Sequence, residues 1–209
     1  MPVNILNVRD LACERGDLRL FTGVSFALGA GELLLVQGAN GSGKTSLLRL
    51  VAGLSRPLAG EVRWSGEDIR ELRENYAHEL LFVGHANAVK DEFSADENLA
   101  VAREMAGRGS TTDERAAALE RIGLATRARL PARYLSQGQK RRVALARLCL
   151  AADTPLWILD EPFAALDARA LGVVVALIDE HLARGGMAVL TTHQEVAIAT
   201  RMRHVVALG

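Results

Sequence analysis

Gly38-Ala39-Asn40-Gly41-Ser42-Gly43-Lys44-Thr45 fits the pattern G-x-x-x-x-G-K-[ST] at every fixed position. The apolar run Leu33-Leu34-Leu35-Val36 before it reads as a buried strand, and Ser46-Leu47-Leu48-Arg49-Leu50-Val51-Ala52 after it opens a helix. Phosphate oxygens need several donors converging at short range. Glycines let successive backbone N–H groups point inward without a Cβ in the way, and the helix start adds the positive end of its dipole. Lys44 is placed to reach the outer phosphates of a nucleotide, and the Thr45 hydroxyl to ligate a Mg²⁺ that bridges them. Gly38, Ala39, Asn40, Gly41, Ser42, Gly43, Lys44 and Thr45 are together the candidate nucleotide-binding segment.

The other motifs follow in an order that such a loop requires. Leu156-Trp157-Ile158-Leu159 places Asp160 at the carboxyl end of a central strand, where a carboxylate holds Mg²⁺ directly or through water. Glu161 follows at once, positioned to take the proton of an attacking water. Leu135-Ser136-Gln137-Gly138-Gln139 precedes a helix read over Lys140 to Leu150, so Ser136 and the amides around Gly138 lie at a helix start, a second anion site. Taken alone, LSQGQ is merely a helix cap followed by basic residues; its place 24 residues before Asp160 favours the functional reading.

With these motifs the chain resembles the ATP-binding-cassette family, whose signature L-S-G-G-Q is met here as LSQGQ. The resemblance implies an α/β fold of the P-loop NTPase, ABC-ATPase kind, with ATP and Mg²⁺ as cofactors and ATP hydrolysis as the activity. It implies that Ser136 and Gly138 bind the γ-phosphate held by an opposite subunit. Ala165-Leu166-Asp167 is similar to the family's D-loop, with Asp167 facing the dimer interface. His193, 32 residues beyond Glu161 and at another strand's carboxyl end, is similar to the switch histidine that contacts the γ-phosphate. The sequence departs from the family at three places. Gln137 replaces a signature glycine, and His85 stands in Phe82-Val83-Gly84-His85-Ala86-Asn87 where a glutamine is usual. A ring nitrogen of His85 is a candidate acceptor toward Mg²⁺ or water, and that role is pH-dependent as glutamine's is not. The usual early aromatic for stacking on adenine is missing, and Arg15, with its planar guanidinium, is the candidate substitute.

Glu97-Asn98-Leu99 and the segments GHANAVK, LSQGQKRRVALARL and PLWILDEPFAALD narrow the resemblance to the ATP-binding subunits of cytochrome c maturation complexes. The short length, without an accessory domain, agrees. That resemblance implies a homodimer of ATPase subunits on a membrane-spanning, CcmB-like partner, peripheral on the cytoplasmic side of the cell inner membrane, with haem export or delivery for c-type cytochromes as the task. The rivals are another small transporter ATPase, a soluble cassette ATPase acting on nucleic acid or ribosomes, and a non-hydrolysing regulatory cassette. The soluble kind usually carries a second cassette, a coiled-coil insert or a basic extension, and the regulatory kind lacks the base or the signature.

Composition bounds the same choices. With 209 residues, 49% of them hydrophobic, the chain can bury one full core at the usual size of one domain. Lys plus Arg total 25 against 25 Asp plus Glu, so no net field draws it to nucleic acid or to an acidic membrane, and no nucleic-acid partner is expected. Cys13 and Cys149 stand far apart and outside any metal spacing, which suits packed thiols in a reducing compartment. Met1 to Leu11 shows no basic stretch followed by an apolar core, so no secretory leader is expected. The run Leu171 to Ile178 is too short to cross a bilayer, and no direct membrane insertion is expected.

Along the chain, Ile5 to Ala12 and Arg19 to Leu28 predict strands of a β-rich entry, antiparallel across the turn at Arg15-Gly16-Asp17, and Gly60 to Trp64 and Leu80 to Val83 predict two more. From about Ala86 to Leu150 the pattern is helical, with capping boxes at Ser94-Ala95-Asp96-Glu97 and Thr111-Thr112-Asp113-Glu114. Strand Leu156 to Leu159, helix Ala168 to Ala183, strand Met187 to Thr191, helix Glu195 to Met202 and strand His204 to Leu208 then imply a mostly parallel sheet. The expected organisation is a single domain over 1–209, with an α/β core at about 1–85 and 151–209 and a helical subdomain at about 86–150.

Overall fold

A computed structural model describes residues 5–209. The first four residues, part of the stretch expected to carry no secretory leader, lie outside the described residues. The chain opens with β1 (Leu6–Arg15), β2 (Leu18–Leu28) and β3 (Glu32–Gly38), then α1 (Lys44–Val51) and β4 (Ala59–Trp64). The short β5 (Glu67–Asp68), α2 (Ile69–Leu72) and α3 (Glu74–His78) lead into β6 (Leu80–Val83). Helices α4 (Ala95–Met105), α5 (Thr112–Arg121) and α6 (Gln137–Ala146) come next, followed by β7 (Leu156–Asp160), α7 (Ala168–Ala183), β8 (Met187–Thr191) and β9 (Met202–Leu208).

Among the described residues the strands form a parallel sheet of order β6-β7-β8-β3-β9 and an antiparallel sheet of order β2-β1-β4-β5. Strand β7 is buried along its whole length because both faces are covered, and its alternation divides the core. Trp157 and Leu159 join Leu99, Leu119, Leu145 and Ile178 from α4 to α7. Leu156 and Ile158 join Leu47 and Leu48 of α1 and the antiparallel sheet's Leu6, Val8 and Trp64. Each such leucine contributes about 1.5–3 kcal/mol by leaving water, so α1, which starts at the phosphate loop, is held firmly under the sheet.

Both capping boxes form, with Ser94 Oγ accepting from Glu97 N and Thr111 Oγ1 accepting from Glu114 N, each at 3.2 Å. The first helix of the insert begins at Ala95 rather than near Ala86. The Asn98 side chain occupies the intervening turn, donating to the carbonyls of Lys90, Phe93 and Ser94 and accepting from Lys90 N. The helix read over Lys140 to Leu150 starts earlier, at Gln137, and its last turn tightens to a 3₁₀ helix over Arg147–Leu150.

The helix expected over Glu195 to Met202 does not form. Two of its backbone donors are taken by tertiary partners instead: Ala199 N donates to Asp179 Oδ1 at 2.7 Å and Arg201 N to the Gly31 carbonyl at 3.1 Å. With Ile198 buried on the core, these contacts outweigh a weak local helical preference. Both cysteines are free thiols, Cys13 buried and Cys149 partly so. Among the described residues no helix is long and apolar enough to cross a membrane.

Candidate active site

Three parallel strands end at one place. Strand β3 delivers the phosphate loop, β7 delivers Asp160 and Glu161, and β8 delivers Thr191 just before His193. Between them lies a cleft of about 420 Å³ lined by Asn40, Gly41, Gly43, Lys44, Thr45 and Ser46 of the loop and helix start. Asp160, Glu161, His193, His85 and Arg15 line it from the other side. Some other hollows, of about 450, 490 and 550 Å³, are larger, but they gather none of these groups. Size alone therefore does not find the chemistry here.

Gly43 caps α1 with φ 98°, a left-handed conformation, and an added Cβ would lie 3.0 Å from Phe21 Cδ1. No side chain caps this helix start, so its amides face the cleft. Lys44 folds over the loop, with Nζ donating to the Gly38 and Ala39 carbonyls at 2.7 and 3.0 Å. Ser42 Oγ is buried beside Gly38 without a partner.

Asp160 is 2% exposed, and both of its carboxylate oxygens are engaged. Thr45 Oγ1 donates to Oδ2 and Thr191 Oγ1 to Oδ1, each at 2.8 Å. Thr191 Oγ1 also accepts from Glu161 N at 2.9 Å. The adjacent Thr45 hydroxyl and Asp160 carboxylate are hard oxygen donors suited to Mg²⁺. Among the described residues no group of three or more His, Cys, Asp and Glu could hold a metal by itself, so the remaining positions fall to phosphate and water. Glu161 has φ 49°, and its Oε1 is buried without a hydrogen-bond partner, 3.5 Å from His193 Nε2. An acceptor held unpaired at a polar cleft is what a group that orients a water needs.

Lys44, Thr45, Asp160, Glu161, His193, His85 and Arg15 thus share one cleft. Ser136, Gly138 and Asp167 are not among its lining residues. Ser136 caps α6 in a capping box, its Oγ accepting from Gln139 N while its own N donates to Gln139 Oε1. A methyl on Gly138 would lie 2.8 Å from the Ala165 carbonyl oxygen, so α6 packs closely on the loop after β7. Asp167 caps α7, accepting from Ala170 N at 2.8 Å.

Two residues whose roles sequence reasoning missed hold this arrangement together. Thr191 bridges Asp160 and Glu161 as described. Arg141, 3% exposed, donates to the carbonyls of Gly84, Asp160 and Glu161. A signal for Arg141 does exist, because helical spacing puts it on the same stripe as the buried Ala144, Leu145 and Leu148.

The family profile described as ABC transporter matches residues 21–164. The chain belongs to the ABC transporter family. As a member of this family it binds ATP and hydrolyses it. The cytochrome c biogenesis ATP-binding export protein CcmA of Nitrosomonas europaea is 50% identical over 208 residues, covering 100% of this chain and 97% of that protein. The protein of the same name from Dechloromonas aromatica is 52% identical over 194 residues, covering 93% and 95%. Within the ABC transporter family the chain therefore groups with the CcmA proteins. A solved structure from Pyrococcus furiosus, described as a putative ABC transporter ATP-binding protein, matches with a TM-score of 0.81 and 25% identity over 96% of each chain.

Proposed function

We propose that this chain is the ATP-hydrolysing subunit of a membrane complex for c-type cytochrome biogenesis, energising haem export or delivery through a CcmB-like membrane-spanning partner. The observation that carries this is the full-length 50% identity to a cytochrome c biogenesis ATP-binding export protein, supported by a cleft that gathers Lys44, Thr45, Asp160, Glu161 and His193. In this reading Lys44 and the loop amides hold the phosphates, while Thr45 and Asp160 hold Mg²⁺. The Mg²⁺ would neutralise charge developing on the phosphate oxygens.

Glu161 orients a water toward the γ-phosphate and takes its proton, and His193 steadies that phosphate. Arg15 stacks on the base from the rim of the cleft, and His85 acts at the hinge beside the metal site. Ser136 and Gly138 complete the cleft of a second copy, with Asp167 near the shared surface. Their place outside the chain's own cleft supports a dimer with two composite sites. The units that move in this cycle are an α/β core at about 1–85 and 151–209 and a helical subdomain at about 86–150. The protein works peripherally on the cytoplasmic side of the inner membrane. Isolating the chain from a membrane fraction and identifying the membrane subunit that accompanies it tests this. Recovery of a CcmB-like protein is expected; a stoichiometric membrane subunit of another transporter would replace the haem reading with that cargo.

A further inference from the structure

Arg141 lies in the second turn of α6, the helix capped by Ser136. A guanidinium removed from water is costly unless its donors are met, and here Nη1 and Nη2 meet carbonyl oxygens while Nε is buried without a hydrogen-bond partner. Nη2 donates to the Asp160 carbonyl at 2.8 Å and to the Glu161 carbonyl at 2.7 Å. Nη1 donates to the Gly84 carbonyl at 2.9 Å, with Asn87 Oδ1 at 3.4 Å. One side chain therefore ties α6 to the end of β7 and to the turn that carries His85.

The tie falls on the backbone that needs holding. Glu161 is a non-glycine residue at φ 49°, a conformation that persists only when its surroundings impose it. Thr191 secures its N–H from the β8 side and Arg141 its carbonyl from the α6 side. With both ends of the residue fixed, the side chain is aimed into the cleft, where Oε1 has no hydrogen-bond partner and lies 3.5 Å from His193 Nε2. Ser136 sits five residues before Arg141, at the start of the same rigid helix. Any shift of that helix would reach Glu161 through the guanidinium.

We propose that Arg141 is a positioning residue for ATP hydrolysis: it fixes the backbone of Glu161 and couples it to the helix capped by Ser136 and to the turn at Gly84. This rests on the reading of Glu161 as the group that activates water, which Glu161→Gln alone tests: near-normal turnover in that variant refutes the base and not the tie. The closing experiment measures kcat, KM, ATP affinity and thermal stability for Arg141→Gln and Arg141→Lys, alone and combined with Glu161→Gln. We expect Arg141→Gln to lower kcat about 10- to 100-fold, as misplacement of a reacting group does. KM should stay within about threefold, because the phosphate loop is untouched.

Arg141→Lys should fall between Arg141→Gln and the parent, since an ammonium keeps the charge but lacks the planar fork that meets two neighbouring carbonyls. In the Glu161→Gln background, Arg141→Gln should change the residual rate by less than about twofold, because two residues that act through one step do not lose additively. Unchanged kcat in Arg141→Gln would overturn the proposal. So would a full additional loss in the double variant. Loss of ATP binding together with thermal stability in both Arg141 variants would make the residue a folding element only, and would overturn it as well.

Discussion

The helix starts at Lys44 and at Ser136 are built alike, each a polar turn that leads into an α-helix with its amides forward, yet they are finished differently. The α1 start has glycine at its cap and no side chain to satisfy its amides. The α6 start closes on itself, with Ser136 and Gln139 exchanging two hydrogen bonds. An uncapped helix end waits for an anion, whereas a capped one is already stable without a ligand. The first belongs to a cleft completed by β7 and β8 of the same chain. The second is exposed and self-satisfied, and because Ser136 Oγ only accepts within the capping box, its O–H can donate to a phosphate without breaking the cap.

The largest expected effect tests the open start. Lys44→Ala should lower ATP hydrolysis by about 10³-fold or more, because the variant removes the ammonium from the phosphates while leaving α1 packed on the core. Its bonds to the Gly38 and Ala39 carbonyls are local, so thermal unfolding should move little. Near-normal phosphate release in a steady-state assay would break the comparison at its first term.

A mixture tests the closed start. Ser136→Arg and Lys44→Ala chains should each be inactive alone, and mixing them should restore part of the parent rate by assembling one intact loop against one intact helix start. If the mixture never exceeds the sum of the two separate samples, the α6 start does not serve a second copy.

A third measurement concerns the fold away from both starts and separates stability from catalysis. His181 is 2% exposed, stacks on Trp157 with ring centroids 3.9 Å apart, and donates from Nε2 to the Met187 carbonyl. Burial pushes its pKa down to about 4, against the resisting hydrogen bond to Met187. The folded protein therefore holds neutral His181 where the unfolded chain binds a proton. Stability is complete above the unfolded value of about 6.5 and falls as pH drops toward 4. Urea unfolding should show a loss of about 2 kcal/mol between pH 7 and pH 5 from this residue. His181→Gln should be less stable at pH 7 but lose about that much less over the same interval. Parallel pH profiles for the two proteins would show that His181 does not titrate in this way.

The smallest effect returns to α6. Gly138→Ala places a methyl 2.8 Å from the Ala165 carbonyl oxygen, and the backbone there must shift. Overpacking of this kind costs about 1–3 kcal/mol, while alanine in a helix recovers about 1 kcal/mol. A net loss of about 1 kcal/mol in denaturant unfolding is expected, and a gain in stability would show that the loop at Ala165 yields freely.

Much of this was legible in the sequence because it rests on neighbours in the chain. The phosphate loop needs consecutive amides, a buried strand needs a run of apolar residues, and a capping box needs two residues three apart; each can be found by spacing. The strands over Leu156 to Leu159 and Met187 to Thr191, and the helix over Ala168 to Ala183, lie where that reasoning put them. The helix expected over Glu195 to Met202 was lost because two of its amides bond to Asp179 and Gly31, which no local pattern reveals. Asn98 lies within its helix and also holds the turn before it, through contacts that its spacing does not reveal.

By itself, then, the sequence determined a phosphate-binding loop, its companion motifs and the succession of strands along the chain, since short-range spacing and period set these. Only the tertiary structure decided which of those residues meet. Thr45 and Asp160 are 115 positions apart and come within 2.8 Å because β3 and β7 flank β8 in the parallel sheet. The same packing leaves Ser136, Gly138 and Asp167 outside that cleft and brings Arg141 to the carbonyls of Asp160 and Glu161. A buried guanidinium is stable only where distant segments supply its acceptors together, and that is a property of the assembled core rather than of any stretch of chain.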